Sequence, residues 1–255
     1  GNLCIDTLEN MIDENVKLIS ATHIPTNSGL INAVSDIGKV AKKYNIYFLV
    51  DACQSVGQMP IDVDEIGCDM LSATGRKYLR GPRGVGFLYV RKSIIRKLHP
   101  PIIDLRSADW LNSNEYKLKE DAQRFESWES NYAAVLGLGS AVDYALNLGL
   151  NNIQLRNTEL ASYLRTCLKK IDTVHIHAIS DRQCAITSFY VQDQTASNIV
   201  NELRKNNINT SVSDPSSTLL DANKNKLPSL IRASVHYYND KDEIDNFIKV
   251  LSSLI

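Results

Sequence analysis

The sequence has no run of apolar residues near the ~20 that a membrane-spanning helix needs. Gly1–Asn15 also lacks the charged, apolar and small-residue succession of a secretory signal. Charge of one sign is lacking too: 28 Lys and Arg stand against 29 Asp and Glu, a formal net charge of -1. That balance leaves no electrostatic footprint for nucleic acid or an anionic membrane surface. Cysteine is sparse and scattered, at Cys4, Cys53, Cys68, Cys167 and Cys184, with no C-x-x-C pair. An odd, dispersed set argues against a disulfide framework and fits a reducing cytoplasm. His175 and His177 alternate and so share one face of a strand, but no third ligand lies near them and no metal site is expected. Internal repeats and low-complexity tracts are absent.

What is present is ordinary globular composition, 44% hydrophobic and 22% charged over 255 residues, enough for one large domain or two modest ones. The first half alternates strand and helix patterns. Val16–Thr22 is a short apolar run, and Val34, Ile37, Val40, Ala41 and Tyr44 then recur at helical spacing. Ile46–Val50 is too apolar for a half-exposed strand and reads as a buried parallel one. Cys68–Ala73 and Gly86–Val90 add two short strands. Tyr132–Leu148 reads as a helix stopped by Gly149, and Asn151–Lys170 as a second. Beyond it come strands at Val174–Ile179, Ala185–Val191, Ile208–Val212 and Ile231–Tyr237, a helix at Ala196–Lys205, and a last helix with Ile244, Phe247, Ile248 and Leu251 on one stripe. The fold class is α/β, a mostly parallel sheet in residues 1–149 followed by a smaller α+β domain in residues 150–255.

The chemistry concentrates after the strands. Asp51 follows IYFLV directly, where a parallel strand ends and a site normally opens. Gln54 lies three residues on, and Lys77 follows the next strand after Thr74-Gly75-Arg76. A lysine amine, a carboxylate and a turn of hydroxyl and guanidinium groups suit a pyridine-aldehyde phosphate: Schiff base, ring-nitrogen partner and phosphate ligands. Each residue also has a plain reading, Asp51 as a turn or cap residue and Lys77 as a solvated charge. Gly81, Gly84 and Gly86 run G-x-x-G-x-G, which is not the dinucleotide order.

The stretch VDACQSVGQMPIDVDEIGCDMLSATGRKYLRGPRGVGFLYV, with THIPTNSGLINAVSDIG upstream and RFESWESNYAAVLGLGSAVDYAL and IRASVHYYNDKDEID downstream, resembles the class V aminotransferases. These are pyridoxal-phosphate enzymes of fold type I, among them cysteine desulfurases, selenocysteine lyase and isopenicillin N epimerase. The resemblance covers nearly the whole chain in order. It implies pyridoxal 5'-phosphate as cofactor and a small amino acid as substrate. By the same resemblance Lys77 forms the Schiff base and shuttles the Cα proton, Asp51 pairs with the pyridinium nitrogen, and Gln54 bonds the phenolic oxygen. Thr74 and Arg76 fall to the phosphate, and Arg232 to the substrate carboxylate. Thr26 stands where desulfurases place an asparagine near the ring.

Departures shape the expected reaction. Desulfurases carry a nucleophilic cysteine shortly before the carboxylate arginine, whereas Ile208–Leu230 contains none. The expectation is therefore a carbon–sulfur lyase or β-elimination enzyme and not a persulfide-forming desulfurase. Epimerase or aminotransferase chemistry and a catalytically dead, truncated remnant acting as an interaction module are the alternatives. Cys53 is expected to be a buried small hydrophobe. Ser127 and Ser130 stand near the place where the family has a threonine that reaches the neighbouring subunit's phosphate. A homodimer is implied. Relative to the family the chain reads as lacking an N-terminal portion, on the order of a hundred residues. A fragment, a truncated product or a separate N-terminal chain would account for that, and an exposed sheet edge should follow.

Overall fold

The structure, a computed structural model, describes residues 3–177 and 180–255. After a short helix α1 (Ile5–Asn10), β1 (Leu18–Thr22) leads through a turn to α2 (Val34–Lys43) and β2 (Tyr47–Asp51). A single turn of helix, α3 (Val63–Ile66), precedes β3 (Met70–Thr74) and β4 (Gly86–Val90). These strands form one sheet in the order β1-β2-β3-β4. The first three are parallel and β4 is antiparallel to β3. Their register places Thr22 opposite Asp51 and Asp51 opposite Ser72, so the parallel strands end along one line. The helical stripe Val34, Ile37, Val40 and Ala41 is buried. It packs with Phe48, Val50, Ile66, Cys68 and Leu71 into a core under that sheet.

A hairpin, β5 (Ala108–Asn112) with β6 (Glu115–Leu118), precedes two long helices, α4 (Tyr132–Leu148) and α5 (Leu150–Leu168). The Asn131 side chain accepts from the Ala134 N–H (3.0 Å) and caps α4. Gly149, at φ 84, ends α4 and opens α5. The second sheet contains β7 (Val174–Ile176), β8 (Ile186–Val191), β9 (Ser211–Ser213) and β10 (Leu230–Ser234), all antiparallel in the order β7-β8-β10-β9. Helices α5, α6 (Ala196–Lys205) and α8 (Lys241–Ser253) supply its core, with Leu160, Leu164, Leu203, Phe247 and Leu251 against Phe189 and Ile231. Asp240 and Glu243 close a capping box on α8. Among the described residues no single helix is long and apolar enough to cross a membrane.

The structure shifts several expected elements. The strand expected at 208–212 forms instead at Ser211–Ser213. Asn207, at φ 60, ends α6 in the left-handed region, and the Ile208 N–H turns back to the Leu203 carbonyl (3.0 Å). The strand expected from Val174 stops at Ile176; residues 178–179 lie outside the described residues. Two elements had no apolar pattern to announce them. The β5–β6 hairpin exposes its paired Trp110 and Tyr116, and α7 (Leu219–Asn225) buries only Ala222. β1 and β4 are the outer strands of their sheet, and Phe87 and Leu88 on β4 are exposed.

Gly29 joins the two sheets. It adopts φ 72, and its carbonyl accepts from the Cys184 N–H (2.9 Å) beside the Leu30–Gln183 bridge. A Cβ there would run into the Ile186 carbonyl oxygen. Gly29→Ala is therefore expected to lower stability by about 2 kcal/mol or more, from left-handed strain plus the clash. A urea midpoint equal to that of the parent would contradict this.

Candidate active site

The line of parallel strand ends gathers the polar residues. Asp51 ends β2, and its side chain accepts from the Cys53 N–H (2.9 Å), folding the chain into a tight turn. That turn places Gln54 in the interior, where its Nε2 donates to the Thr26 hydroxyl (2.6 Å). The Gln54 carbonyl accepts from Gln58 Nε2, and Gln58 Oε1 accepts from the Ala185 N–H (3.1 Å) at the entry to β8. The turn after β2 is thus tied to Thr26 on one side and to the second sheet on the other.

Lys77 lies in the loop after β3. The Gly75 N–H donates to the Val85 carbonyl (2.9 Å), the Arg80 N–H to Lys77 (2.8 Å) and the Gly81 N–H back to Gly75 (2.9 Å), so the loop closes on itself. Burial pulls the Lys77 ammonium below the usual lysine range, and the neighbouring Arg76 and Arg232 cations act in the same direction. Cys53 and Asp51 oppose them. The half-buried lysine therefore lies within electrostatic reach of Arg76 in its own loop, of the turn of Asp51 and Cys53, and of Arg232 far away in sequence. Cys53 departs from the expectation of a buried hydrophobe. It is half-buried, its thiol interacts with the Asp51 carboxylate, and burial with that contact holds it protonated. The reason is its place in the Asp51 turn, which points it along the site and not into the core.

Arg232 is on β10, on the sheet face opposite the core residue Ile231. Burial lowers its pKa, and its Nε is buried with no partner among the described residues. A guanidinium in that state calls for an anion. Thr74 is half-buried beside the Lys77 loop, and Arg76 is exposed. Ser127 and Ser130 are exposed ahead of α4. An amine of lowered pKa beside a carboxylate, with an orphaned guanidinium facing them, fits a pyridine-aldehyde phosphate and the carboxylate of its substrate.

Residues outside the expected set hold this arrangement. The Tyr78 hydroxyl donates to the Val235 carbonyl (3.4 Å), and the Tyr78 ring stacks on His236 at 5.1 Å. The Arg80 guanidinium lies over Tyr144, Tyr237 and Tyr238 at 5.5, 5.8 and 5.3 Å. The loop of Lys77 and the strand of Arg232 meet in this block. Tyr78 and Arg80 neighbour Lys77 and His236 follows Arg232 in the quoted motifs, but nothing in their spacing shows that they touch.

The aminotransferase class-V family model matches residues 1–247. A probable cysteine desulfurase of Borreliella burgdorferi is 33% identical over all of this chain and 62% of its own length. The apo structure of a cysteine desulfurase from Thermococcus onnurineus NA1 superposes with a TM-score of 0.94 at 28% identity, over 100% of this chain and 64% of that one. A C-DES variant with glycine covalently linked to its PLP cofactor superposes with a TM-score of 0.86 at 25% identity, covering 97% of this chain and 63% of that one. The chain thus spans less than two thirds of these relatives' length. The desulfurase relatives overturn the expectation of a lyase that is not a persulfide-forming desulfurase. One loop without cysteine was too narrow a basis, because the rest of the chain follows the desulfurase pattern.

His23 and His236 bear on stability. Burial pushes both down to about 4 from the ordinary 6.5, so both are neutral when folded. The unfolded chain protonates them first, so their stabilisation is present above about pH 6.5 and drains away as pH falls toward 4. His236→Gln should flatten the loss of urea resistance between pH 6.5 and 4.5. An unchanged slope would contradict the assignment.

Proposed function

The chain belongs to the class V aminotransferase family, and from that premise we propose that it carries the lysine and carboxylate-binding parts of a cysteine desulfurase-type enzyme acting on a small amino acid. One observation supports this above the others: Lys77, half-buried and its pKa lowered by that burial, lies within electrostatic reach of Asp51 and Arg232. When bound, pyridoxal phosphate supplies a protonated pyridine ring that draws electrons from the amino acid's Cα. Asp51 would hold the proton on the ring nitrogen. Thr26 occupies one N–H of Gln54 Nε2, and the other would be free to bond the cofactor's phenolic oxygen. Thr74 and Arg76 take the phosphate.

Arg232 binds the substrate carboxylate through two parallel N–H donors, a geometry that lysine lacks. Lys77, its ammonium disfavoured by burial, would move the proton at Cα. Residues 208–230 contain no cysteine, so the sulfur is accepted by a thiol outside that segment. A homodimer in the cytoplasm is part of the same reading, carried by the family.

Incubation with pyridoxal phosphate followed by borohydride should leave the cofactor mass on the peptide containing Lys77, and Lys77→Ala should abolish both that mass and alanine formation from cysteine. Labelling elsewhere would sink the proposal. Arg232→Lys should raise KM about tenfold or more with a smaller change in kcat, as expected for a lost bidentate contact. An unchanged KM would remove Arg232 from the carboxylate.

A further inference from the structure

Asn27 is one residue beyond Thr26 and only 7% exposed. Its Nδ2 donates to Ser217 Oγ (2.7 Å) and Thr218 Oγ1 (3.2 Å), and its Oδ1 accepts from Ser213 Oγ (3.0 Å). One amide thus gathers three hydroxyls from a segment some 190 residues away along the chain. Ser213 ends β9, and Ser211 on the same strand is directly opposite Arg232. Side chains two apart on a strand share a face, so Ser213 projects on the side of Arg232. The contacts of Asn27 therefore span from the turn that orients Gln54 to the strand beside the carboxylate-binding arginine.

Residues 214–225, a 3-10 turn at Pro215–Thr218 running into α7, hang on this attachment. The 3-10 turn buries no side chain and α7 buries only Ala222, while Leu219 and Leu220 are 57% and 87% exposed. A second contact, His177 Nε2 to Asp221 Oδ2 at 3.6 Å, is weak. Burial favours the neutral imidazole, and Asp221 is already shared with Asn225 Nδ2 (2.7 Å). A segment with so little apolar burial belongs to the low-stability end of a structure, where a few hydrogen bonds decide whether it is open or closed.

We propose that Asn27 is a specificity-determining residue. Its three hydrogen bonds hold residues 214–225 closed across the amino-acid end of the site, which admits short side chains and turns away bulky ones. The inference rests on the reading that Lys77 and Arg232 form the amino-acid site.

Two measurements test it. Trypsin cleavage after Lys224 and Lys226 reports opening in the protein without cofactor. The ratio of dissociation constants for L-phenylalanine and L-alanine, by calorimetry with pyridoxal phosphate present, reports selectivity. Asn27→Ala should speed that cleavage about tenfold or more and narrow the ratio by a similar factor, since about tenfold is the scale of a single net hydrogen bond and Asn27 makes three. Asn27→Asp keeps the acceptor for Ser213 and loses the donors, so it should give a partial effect. Ser217→Ala with Thr218→Val removes the same two bonds as Asn27→Asp and should give the same partial effect without touching the turn of Thr26. Unchanged cleavage in Asn27→Ala and in the double variant overturns the proposal, and so does faster cleavage with an unchanged ratio. Cleavage also at Lys39–Lys43 in α2 would mark global unfolding of Asn27→Ala, and the double variant then decides. Failure of the parent protein to label at Lys77 defeats the functional reading instead, and leaves the cleavage result standing.

Discussion

The parallel pairing of β1, β2 and β3 is the constraint on which the rest of the molecule depends. Its backbone ladder sets Thr22, Asp51 and Ser72 abreast, so everything that follows those strands emerges on one side. The turns of Thr26, Gln54 and Lys77 converge because their strands end together. A slip of one residue in β2 would turn Phe48 and Val50 out of the core and move Asp51 off the line. The fully buried side chains of Phe48 and Val50 are what forbid that slip.

The second constraint is the join between the sheets. The link from Gln58 to Ala185, the close approach of Gly29 to Ile186 and the stack of Tyr78 on His236 are three separate contacts across it. None is large in buried area, but each fixes a different degree of freedom. Together they bring Arg232, carried by an antiparallel sheet with its own core, to face a lysine from a parallel one.

How much of this could be read from the chain depended on local pattern. IYFLV followed by Asp, and LSAT followed by Gly-Arg-Lys, announce strands with chemistry at their ends, α2 is equally plain from its apolar spacing, and α4 from its Ala/Leu-rich composition. Arg232 came from the wording of IRAS and not from any periodicity. Illegible were the elements without a buried stripe, α7 and the β5–β6 hairpin. So were contacts between residues far apart in sequence, such as Arg80 with Tyr237 or Asn27 with Ser217. Those depend on how two sheets meet, which no window of a dozen residues records. The loop without cysteine marks the opposite limit: one local departure weighs less than similarity to desulfurases along the rest of the chain.

The block of Tyr78, Arg80, His236, Tyr237 and Tyr238 has a further meaning for the proposed roles of its neighbours. Lys77 adjoins one end of it and Arg232 lies four residues from the other, and the stack of Tyr78 on His236, 5.1 Å between ring centroids, links the two ends and limits their separation. An amino acid held at Cα by one group and at its carboxylate by the other must match that separation. One carbon–carbon bond divides the two points in an α-amino acid, and two bonds divide the corresponding points in a β-amino acid. On the proposed roles of Lys77 and Arg232, the aromatic block would act as a gauge of molecular length, sorting amino acids by where the amine sits before any side chain is read.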